Sequence, residues 1–458
     1  MATKQVSAPA PAPANRPPYM LIEEIRVQGY KSLVDATLHV RPLTLLAGTN
    51  SSGKSSIMQP LLLIKQTMEA PYQPAGALVL DGAHVQAETA GELVSSISNT
   101  LRQIQTTFVG VVNYSDGNQK VTIEMNYEQF KAIFLLKSQK LSTDSTKKYE
   151  TLIEPDMTWL DFLKQMEVNA PGSSILLKNG SGSIIQDGSG FLKVLVNNEK
   201  GELTNVLGGS GPLEHTLARI MHIPGLRRKP ERSYFSTSFD DRIKGAFDLY
   251  AAGTVSQWQE QKNTEALAQL NGYLRRLGLT DSVTAKVKNA NEVELSVSRL
   301  PAGSKGKPRK ADMVNIADVG IGVSQVLPIL VALIAAQEGQ IVYVEQPELH
   351  LHPRAQVAMA ELLAEAANRG VRVIVETHSS LLLLTVQTLI AQDRIKNTDV
   401  ALHWFARDAK GATTVNYVQP DEDGAYGEWP EDFGDVELKA QDAYLTAVGL
   451  RHFDNAGK

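Results

Sequence analysis

Apolar and polar residues alternate near the start of the chain as they do in β-strands. Residues 20–27 and 36–40 show this alternation, with glycine and aspartate at the breaks. The short apolar run at 43–47 predicts a buried strand, and the strongly apolar stretch at 57–67 predicts a helix. A glycine- and serine-rich loop separates these two elements. The start of the chain therefore predicts a strand–loop–helix unit.

The middle of the chain has a different pattern. Short β-patterned runs separated by turn signals lie within residues 106–137, and apolar runs within glycine- and serine-rich sequence follow at 171–211. Both stretches predict β-hairpins. Residues 236–279 carry a helical stripe of leucines, and residues 282–300 return to strand alternation. We therefore predict an inserted β-rich and helical lobe over residues 101–310.

From residue 314 onward, buried strands alternate with helices. The predicted helices are 324–336, 355–369 and 380–392, and the predicted strands are 340–344 and 371–375. Continuous apolar strands that alternate with helices indicate a parallel sheet covered on both faces. The predicted fold class is α/β.

Composition narrows the class of protein. The 458 residues are 43% hydrophobic and 21% charged with a net charge of −5, which is typical of a globular chain and excludes a histone-like basic protein. The absence of cysteine excludes disulfides, thiolate zinc sites and a cysteine nucleophile, and it fits a cytoplasmic location. The longest apolar stretch, 326–336, is far shorter than the roughly 20 residues that cross a bilayer. Residues 1–18 are rich in alanine and proline and predict a disordered tail.

The loop after the first buried strand carries the strongest chemical signal. Residues 48–55 read GTNSSGKS, which matches the phosphate loop G-x-x-x-x-G-K-[ST]. The glycines let backbone N–H groups turn towards a phosphate chain, and the next helix presents its positive end to the same anion. Lys54 can reach the β- and γ-phosphates, and the Ser55 hydroxyl can bind Mg²⁺. The predicted cofactors are ATP and Mg²⁺, and the predicted binding residues here are Gly48, Asn50, Ser51, Ser52, Gly53, Lys54, Ser55 and Ser56.

Three further segments place polar residues beside predicted apolar elements. Residues 341–353 read IVYVEQPELHLHP, so a buried strand ends in the acid Glu345, which is how such folds place a carboxylate beside Mg²⁺. A second strand ends before His378, which could hydrogen-bond a γ-phosphate or position water. A third segment places Gly322 and Ser324 just before a helix, with the serine as an expected N-cap.

The order of these segments resembles that of the ABC-type ATPases of the SMC, RecF and OLD group, which are often classed as AAA-like. Five segments account for this resemblance. They are the opening IRVQGYKSL at 25–33, the phosphate loop, a divergent signature at 322–325, the EQPELHLHP block and the Thr377-His378 pair. The resemblance is close over residues 20–90 and 311–400. The residues between these ranges resemble the family only in where they lie along the chain. It implies an ATPase head made of residues 19–100 and 311–458, divided by the inserted lobe.

In the family that the chain resembles, two ATP molecules lie between two protomers. The phosphate loop of one protomer faces the signature segment of the other, so the resemblance implies a homodimer or higher oligomer in which Gly322 and Ser324 contact nucleotide. It also implies that Glu345 is the metal-side carboxylate. The family's general-base glutamate falls on Gln346, and an amide cannot take a proton from water.

Three interpretations of position 346 stay open. Glu348 serves as the base, His378 shares that work, or hydrolysis is slow and ATP acts mainly as a clamp. We favour slow hydrolysis assisted by Glu348. The family's metal-coordinating glutamine falls best on Gln86. A zinc site at Glu348, His350 and His352 is a less favoured alternative, because the family interpretation explains the same residues without a metal.

We predict that the chain acts on a separate effector polypeptide, which carries out the final activity. Only about 60 residues follow the last predicted core helix, which is too little chain for a Toprim nuclease domain. The layout is similar to that of stand-alone ATPases of anti-phage systems of the PARIS or Septu type, in which a separate nuclease or toxin is controlled. The alternative is a RecF-like clamp that grips DNA on ATP binding, so DNA contact stays open. No membrane role is expected.

Overall fold

A computed structural model gives the fold. It describes residues 18–71, 77–97, 102–114, 117–144, 149–169, 181–186, 190–198, 200, 202–207, 210–237, 242–299, 312–427 and 442–447. The predicted N-terminal tail lies outside these ranges, apart from its last residue.

An antiparallel sheet of six strands is built from the start of the chain and from the region that follows the phosphate-loop helix. Its strands are β1 (Met20–Tyr30), β2 (Leu33–His39), β4 (Gln103–Tyr114), β5 (Gly117–Phe130), β6 (Ile133–Thr143) and β7 (Tyr149–Ile153). Their order across the sheet is β2-β1-β4-β5-β6-β7. Because β4 pairs directly with β1, the domain boundary that we predict near residue 100 lies within one continuous sheet.

A second, mixed sheet carries the phosphate loop. Its strands are β3 (Leu43–Gly48), β11 (Met221–Ile223), β16 (Ile341–Glu345), β17 (Arg372–Glu376), β18 (Val400–Arg407) and β19 (Thr413–Val418). They are arranged in the order β11-β16-β17-β3-β18-β19, and all neighbours are parallel except β18 and β19. The predicted α/β fold with a mixed sheet flanked by helices is confirmed.

Helices lie on both faces of the mixed sheet, and others pack in the middle region. The helices are α1 (Lys54–Glu69), α2 (Trp159–Asn169), α3 (Gly211–Ala218), α4 (Ala251–Glu260), α5 (Thr264–Arg276), α6 (Ile321–Ala335), α7 (Pro353–Asn368) and α8 (Ser380–Ala391). Of these, α1, α6 and α7 contact strands of the mixed sheet, whereas α2 packs against β7 and β8. Alternate residues of each strand enter opposite cores: Leu45 packs with α6 and α7, whereas Leu46 packs with α1 and the antiparallel sheet. This division follows from the two-residue period of a strand.

Two smaller sheets complete the described part of the middle region. One contains β8 (Ser181–Gln186), β9 (Leu192–Asn197) and β10 (Leu203–Leu207), and the other contains β12 (Tyr234–Phe235), β13 (Val283–Asn289), β14 (Glu292–Ser298) and β15 (Met313–Asn315). The strands predicted within 106–137, and those within 181–207 that the structure describes, form antiparallel pairs as predicted, whereas residues 171–180 lie outside the described residues. The predicted helical stretch 236–279 holds α4 and α5, but its first α-helix begins only at Ala251.

One predicted boundary is wrong. Helix α6 begins at Ile321 with Gly320 as its N-cap, three residues before the predicted start. Ser324 therefore lies inside the first turn, where its Oγ donates to the carbonyl oxygen of Ile321 at 2.8 Å, and it is not the N-cap. Isoleucine and glycine are only moderate to poor helix formers, which hid this turn from the pattern. No helix in the described ranges has both the length and the apolar character that a membrane span requires.

His403 makes the stability of this fold sensitive to acid. It is fully buried in β18, and its Nε2 accepts a hydrogen bond from the backbone N–H of His39 at 3.0 Å. Burial lowers the pKa of His403 from 6.5 to about 3, and the nearby His39 adds to this effect. Between these two values the unfolded chain binds a proton that the folded chain does not bind.

We therefore expect the free energy of unfolding to fall by about 1.4 kcal/mol for each pH unit below 6.5 through this group alone. In the His403→Gln variant the side-chain carbonyl can still accept from His39, and this contribution should disappear. Denaturant titrations of both proteins at pH 7, 6 and 5 measure the difference. Equal pH dependence in the two proteins would show that His403 is not held neutral.

Candidate nucleotide-binding site

The phosphate loop takes its shape from its own glycines and from the neighbouring strand. Gly48 has a φ of 145°, and a Cβ atom there would lie 2.2 Å from the carbonyl oxygen of Phe405 in β18. Gly53, with a φ of 100°, is crowded in the same way by Thr413. Ser51 also has a positive φ of 59°. The loop therefore curls at two glycines that have no room for a side chain and at Ser51, which gives the shape that a backbone cradle for an anion requires.

The remaining predicted loop residues differ in how far they are exposed. Asn50 and Ser51 are exposed, Ser52 is buried, and Ser56 is half-buried in the first turn of α1. The Oγ atom of Ser52 has no hydrogen-bond partner within the described residues. An unpaired buried hydroxyl next to a loop of this shape fits a site that receives a polar ligand.

Lys54 lies across the loop. Its Nζ donates to the carbonyl oxygens of Gly48 at 3.0 Å and Thr49 at 2.7 Å. Burial lowers the pKa of Lys54, and the charges of Glu376 and Glu348 oppose that shift. The ammonium group is thus held beside two carboxylates at the end of β3, where a phosphate chain would replace carbonyl oxygens as its partner.

Ser55 is held by a residue that the sequence analysis does not assign to the site. Its Oγ donates to Oε1 of Glu376 at 3.0 Å, and Tyr343 donates to Oε2 of Glu376 at 3.2 Å. Burial raises the pKa of Glu376, the hydrogen bond from Ser55 opposes this, and the charge of Glu345 raises it further. Glu345 and Glu376 are register partners on β16 and β17, so two acids share this edge of the sheet.

Glu345, the predicted metal-side carboxylate, is fixed at both oxygens. Its Oε1 lies 3.0 Å from Nε2 of His222, and its Oε2 accepts from the backbone N–H of Gly225 at 3.0 Å. Burial would raise the pKa of Glu345, but the hydrogen bonds from His222 and Gly225 outweigh burial, and the pKa is lowered. Glu345 is therefore held as an ionised carboxylate, the form that binds Mg²⁺.

The two remaining predicted catalytic residues besides Gln346 are in direct contact. Oε1 of Glu348 accepts from the backbone N–H of His378 at 2.7 Å, whereas its buried Oε2 has no hydrogen-bond partner in the described part of the chain. Burial raises the pKa of Glu348. Burial lowers the pKa of His378, and the charge of Lys54 lowers it further, so the imidazole is neutral near the phosphate loop.

Gln346 occupies a strained backbone position. Its φ is +47°, and its backbone N–H donates to the carbonyl oxygen of Glu376 at 2.7 Å. Arg227 donates from Nη2 to the carbonyl oxygens of Glu345 at 2.6 Å and Gln346 at 3.2 Å. Arg227 is only 8% exposed, and burial lowers its pKa to about 10. A buried guanidinium thus holds the turn that follows β16.

Three predicted residues lie further from this group of contacts. Gly322 lies at the start of α6 beside the turn after β16, since a Cβ atom there would be 3.6 Å from the carbonyl oxygen of His350. Ser324 lines a small cavity of about 40 Å³ together with Arg227. Gln86 is exposed in the loop after α1, where it forms an isolated bridge with Asp81. The nucleotide and metal roles of these three stay predictions.

The chain's own residues fit a nucleotide with Mg²⁺ better than a metal bound by side chains alone. Among the described residues, no group of three or more histidine, aspartate or glutamate side chains is arranged to hold a metal. The alternative zinc site at Glu348, His350 and His352 is therefore not assembled. One hydroxyl and one or two carboxylates beside a phosphate cradle are the protein ligands that nucleotide-bound Mg²⁺ takes.

Sequence reasoning missed Glu376, His222 and Arg227. The signal for Glu376 was present, because it is an acid at the end of a buried strand. His222 and Arg227 carried no comparable signal, since β11 is only three residues long and shows no periodicity. Their role depends on the pairing of β11 with β16, which lies about 120 residues further along the chain.

Comparison with known proteins points to the ATPase class. Residues 20–170 match a family described as AAA ATPase domain. Residues 230–384 match a family described as AAA domain, and that description also names the AbiEii toxin and a type IV TA system. The chain is thus similar to AAA ATPase domains on both sides of residues 171–229. No curated protein matches it.

Solved structures of SMC heads are similar to the chain over most of its length. An SMC head bound to the C-winged helix domain of ScpA has 12% identity and a TM-score of 0.43, with 88% of this chain and 98% of that chain covered. An SMC head from Pyrococcus furiosus bound to the C-terminal domain of ScpA has 11% identity and a TM-score of 0.44, with coverages of 88% and 96%. The SMC head from Thermotoga maritima has 10% identity and a TM-score of 0.38, with coverages of 87% and 98%.

The strained turn leads to a stability prediction. Gln346→Gly and Gln346→Ala both remove the side chain, but only glycine adopts a φ of +47° without a steric penalty. We expect the glycine variant to be more stable than the alanine variant by about 1 kcal/mol. Denaturant unfolding without nucleotide measures the difference. An alanine variant of equal or greater stability would show that the turn relaxes when the side chain is lost.

Proposed function

We propose that this chain binds ATP with Mg²⁺, hydrolyses it slowly, and uses its nucleotide state to control a separate effector protein. The observation that carries the proposal is the position of Glu348. Its carboxylate lies within electrostatic reach of the phosphate-loop Lys54, one oxygen is fixed by the backbone of His378, and the other is buried without a partner among the described residues.

Binding of the phosphates rests on the loop and the lysine. The curled backbone of residues 48–53 offers N–H groups, and Lys54 can leave the carbonyl oxygens of Gly48 and Thr49 for a phosphate oxygen. Bound Mg²⁺ would neutralise charge on the β- and γ-phosphates, with Ser55 and Glu345 as its ligands from this chain. Glu376 then serves as the acceptor that keeps the Ser55 hydroxyl in place.

Glu348 is the general base in this proposal. Gln346 cannot take a proton from water, because its amide is neither basic nor anionic. Burial raises the pKa of Glu348, which makes it a better proton acceptor than an exposed carboxylate. Its fixed Oε1 leaves Oε2 to receive the proton of an attacking water. Glu348 lies two residues after the position at which the family that the chain resembles has its general base, and this displacement fits slow hydrolysis.

Control of an effector is supported by the resemblance to stand-alone ATPases and by one family description. The start of α6, with Gly322 and Ser324, is the segment that the resemblance places against the nucleotide of a second protomer, which supports a homo-oligomer. One matched family description names the AbiEii toxin and a type IV TA system, which supports a link to a toxin–antitoxin or defence system. That the controlled partner is a separate nuclease or toxin rests on the resemblance alone. The competing function is a DNA clamp of the RecF type.

The mass and composition of the tagged chain, purified with ATP from its host, test the partner directly. A homo-oligomer that carries a second, stoichiometric protein supports control of an effector. A bare dimer whose ATP turnover rises severalfold with duplex DNA contradicts it and favours the clamp.

Lys54→Ala should weaken nucleotide binding and stop turnover. The variant loses the cation that faces the phosphates, and we expect ATP affinity to fall by at least tenfold and turnover to fall to background. Binding of a fluorescent ATP analogue and phosphate release measure the two effects. Lys410→Ala, in the exposed turn between β18 and β19, is the control and should behave as the unaltered protein. Unchanged affinity in Lys54→Ala would contradict the assigned site.

Glu348→Gln should slow hydrolysis without preventing binding. Loss of a general base lowers kcat by about a hundredfold or more, whereas KM should change only a few fold because the phosphate contacts remain. Single-turnover phosphate release separates the chemical step from product release. A variant with full turnover would exclude Glu348 as the base.

Gln346→Glu is the companion test of the same assignment. A carboxylate at the family's base position should raise turnover, because it adds a second proton acceptor beside the site. A fall in turnover would show that position 346 does not face the attacking water.

A further inference from the structure

Two histidines connect the carboxylate of Glu345 to helix α1. Nε2 of His222 lies 3.0 Å from Oε1 of Glu345, and Nδ1 of His222 lies 2.9 Å from Nδ1 of His84. Nε2 of His84 in turn lies 3.4 Å from Oε2 of Glu69. The chain of contacts therefore runs from the end of β16 to the last turn of α1.

The far end of this chain is anchored in the core. Oε1 of Glu69 lies 2.7 Å from Nζ of Lys65, whose side chain is fully buried. Lys65 also donates to the carbonyl oxygen of Ile243 at 2.6 Å, and Gly245 donates its backbone N–H to Oε2 of Glu69 at 2.9 Å. Since Glu69 cannot move freely, it is a fixed point against which His84 is held.

The contact with Glu345 fixes which nitrogen of His222 carries a proton. A carboxylate oxygen of Glu345 only accepts, so the close contact at 3.0 Å requires a proton on Nε2 of His222. The two Nδ1 atoms, 2.9 Å apart, share one proton between the rings of His222 and His84. His84 thus holds the Nδ1 side of the His222 ring, and Nε2 faces the carboxylate.

The orientation of the His222 ring is also fixed by stacking on a neighbouring aromatic ring. It stacks on Tyr343 with a centroid distance of 5.2 Å and an interplanar angle of 10°. Tyr343 donates to Glu376, and Glu376 accepts from Ser55. The aromatic pair is therefore shared between the two acids that end β16 and β17.

We infer that His222 and His84 are positioning residues that hold Glu345 in the orientation in which it receives the Mg²⁺ of bound nucleotide. The inference rests on the proposed function. With His222 on Oε1 and the N–H of Gly225 on Oε2, the carboxylate cannot rotate, and each oxygen keeps a further lone pair for the metal or its water. Partners of this kind set metal affinity by about 10- to 100-fold in metal sites.

The test is ATP affinity measured by calorimetry, once with Mg²⁺ and once with EDTA. For the unaltered protein we expect Mg²⁺ to strengthen ATP binding. His222→Ala should weaken ATP binding at least tenfold with Mg²⁺ and less than twofold with EDTA. His222→Gln places an amide N–H at the position of Nε2, and it should retain most of the effect of Mg²⁺. His39→Ala, which removes a histidine paired with Glu24 on the antiparallel sheet, is the control.

A second pair of variants covers the case in which His222→Ala does not fold. His84→Asn keeps a hydrogen-bonding group near the position of Nδ1, whereas His84→Leu does not. We expect the asparagine variant to keep the increase in ATP affinity that Mg²⁺ causes. In the leucine variant this increase should be severalfold smaller.

The outcomes separate the inference from the proposed function. If the unaltered protein binds no ATP in either buffer, the proposed function fails and the inference fails with it. If it binds ATP but Mg²⁺ changes the affinity equally in all variants, only the inference is overturned. Equal losses in His222→Gln and His222→Ala, or equal losses with Mg²⁺ and EDTA, would assign the histidines a packing role and also overturn it.

Discussion

The parallel pairing of β3 with β17 and β18 is the constraint on which the site depends. Every residue of β3 is buried, and Gly48 at its end lies so close to Phe405 that no side chain fits there. Because parallel strands end at the same edge of a sheet, the phosphate loop after β3 meets Glu376 at the end of β17 and Glu345 at the end of β16. The hydrophobic effect that buries β3 therefore also brings the loop and the acids together.

This edge of the sheet gathers more negative charge than its own cations balance. Glu345, Glu376 and Glu348 lie near Lys54 and Arg227, and the charge of Glu345 raises the pKa of Glu376. Like charges in a partly buried site repel one another, so a divalent cation at this edge would relieve the repulsion. The Mg²⁺ that we propose to accompany ATP would do so directly beside the carboxylates.

The fold was predictable where local pattern decides structure. Strand alternation in β1 and β2, the buried runs of β3, β16 and β17, and the phosphate loop all follow from residues that are close in sequence. The start of α6 was not predictable, because Ile321 and Gly322 do not signal a helix on their own. His222, Gly225 and Arg227 were not predictable either, since their contacts with Glu345 and Gln346 span roughly 120 residues of sequence.

Those long-range contacts change how the middle of the chain is understood. The sequence pattern and the resemblance predict that residues 101–310 form a lobe inserted between two parts of an ATPase head. Yet β4 extends the first sheet and β11 extends the mixed sheet. The segment after β11 makes three hydrogen bonds, from Gly225 and Arg227, to the last residue of β16 and the residue that follows it. A ligand that moved this segment would move Glu345 and Gln346 with it, because Arg227 binds both of their carbonyl oxygens. The middle region is therefore built into both sheets and holds the end of β16, where the proposed metal ligand Glu345 lies.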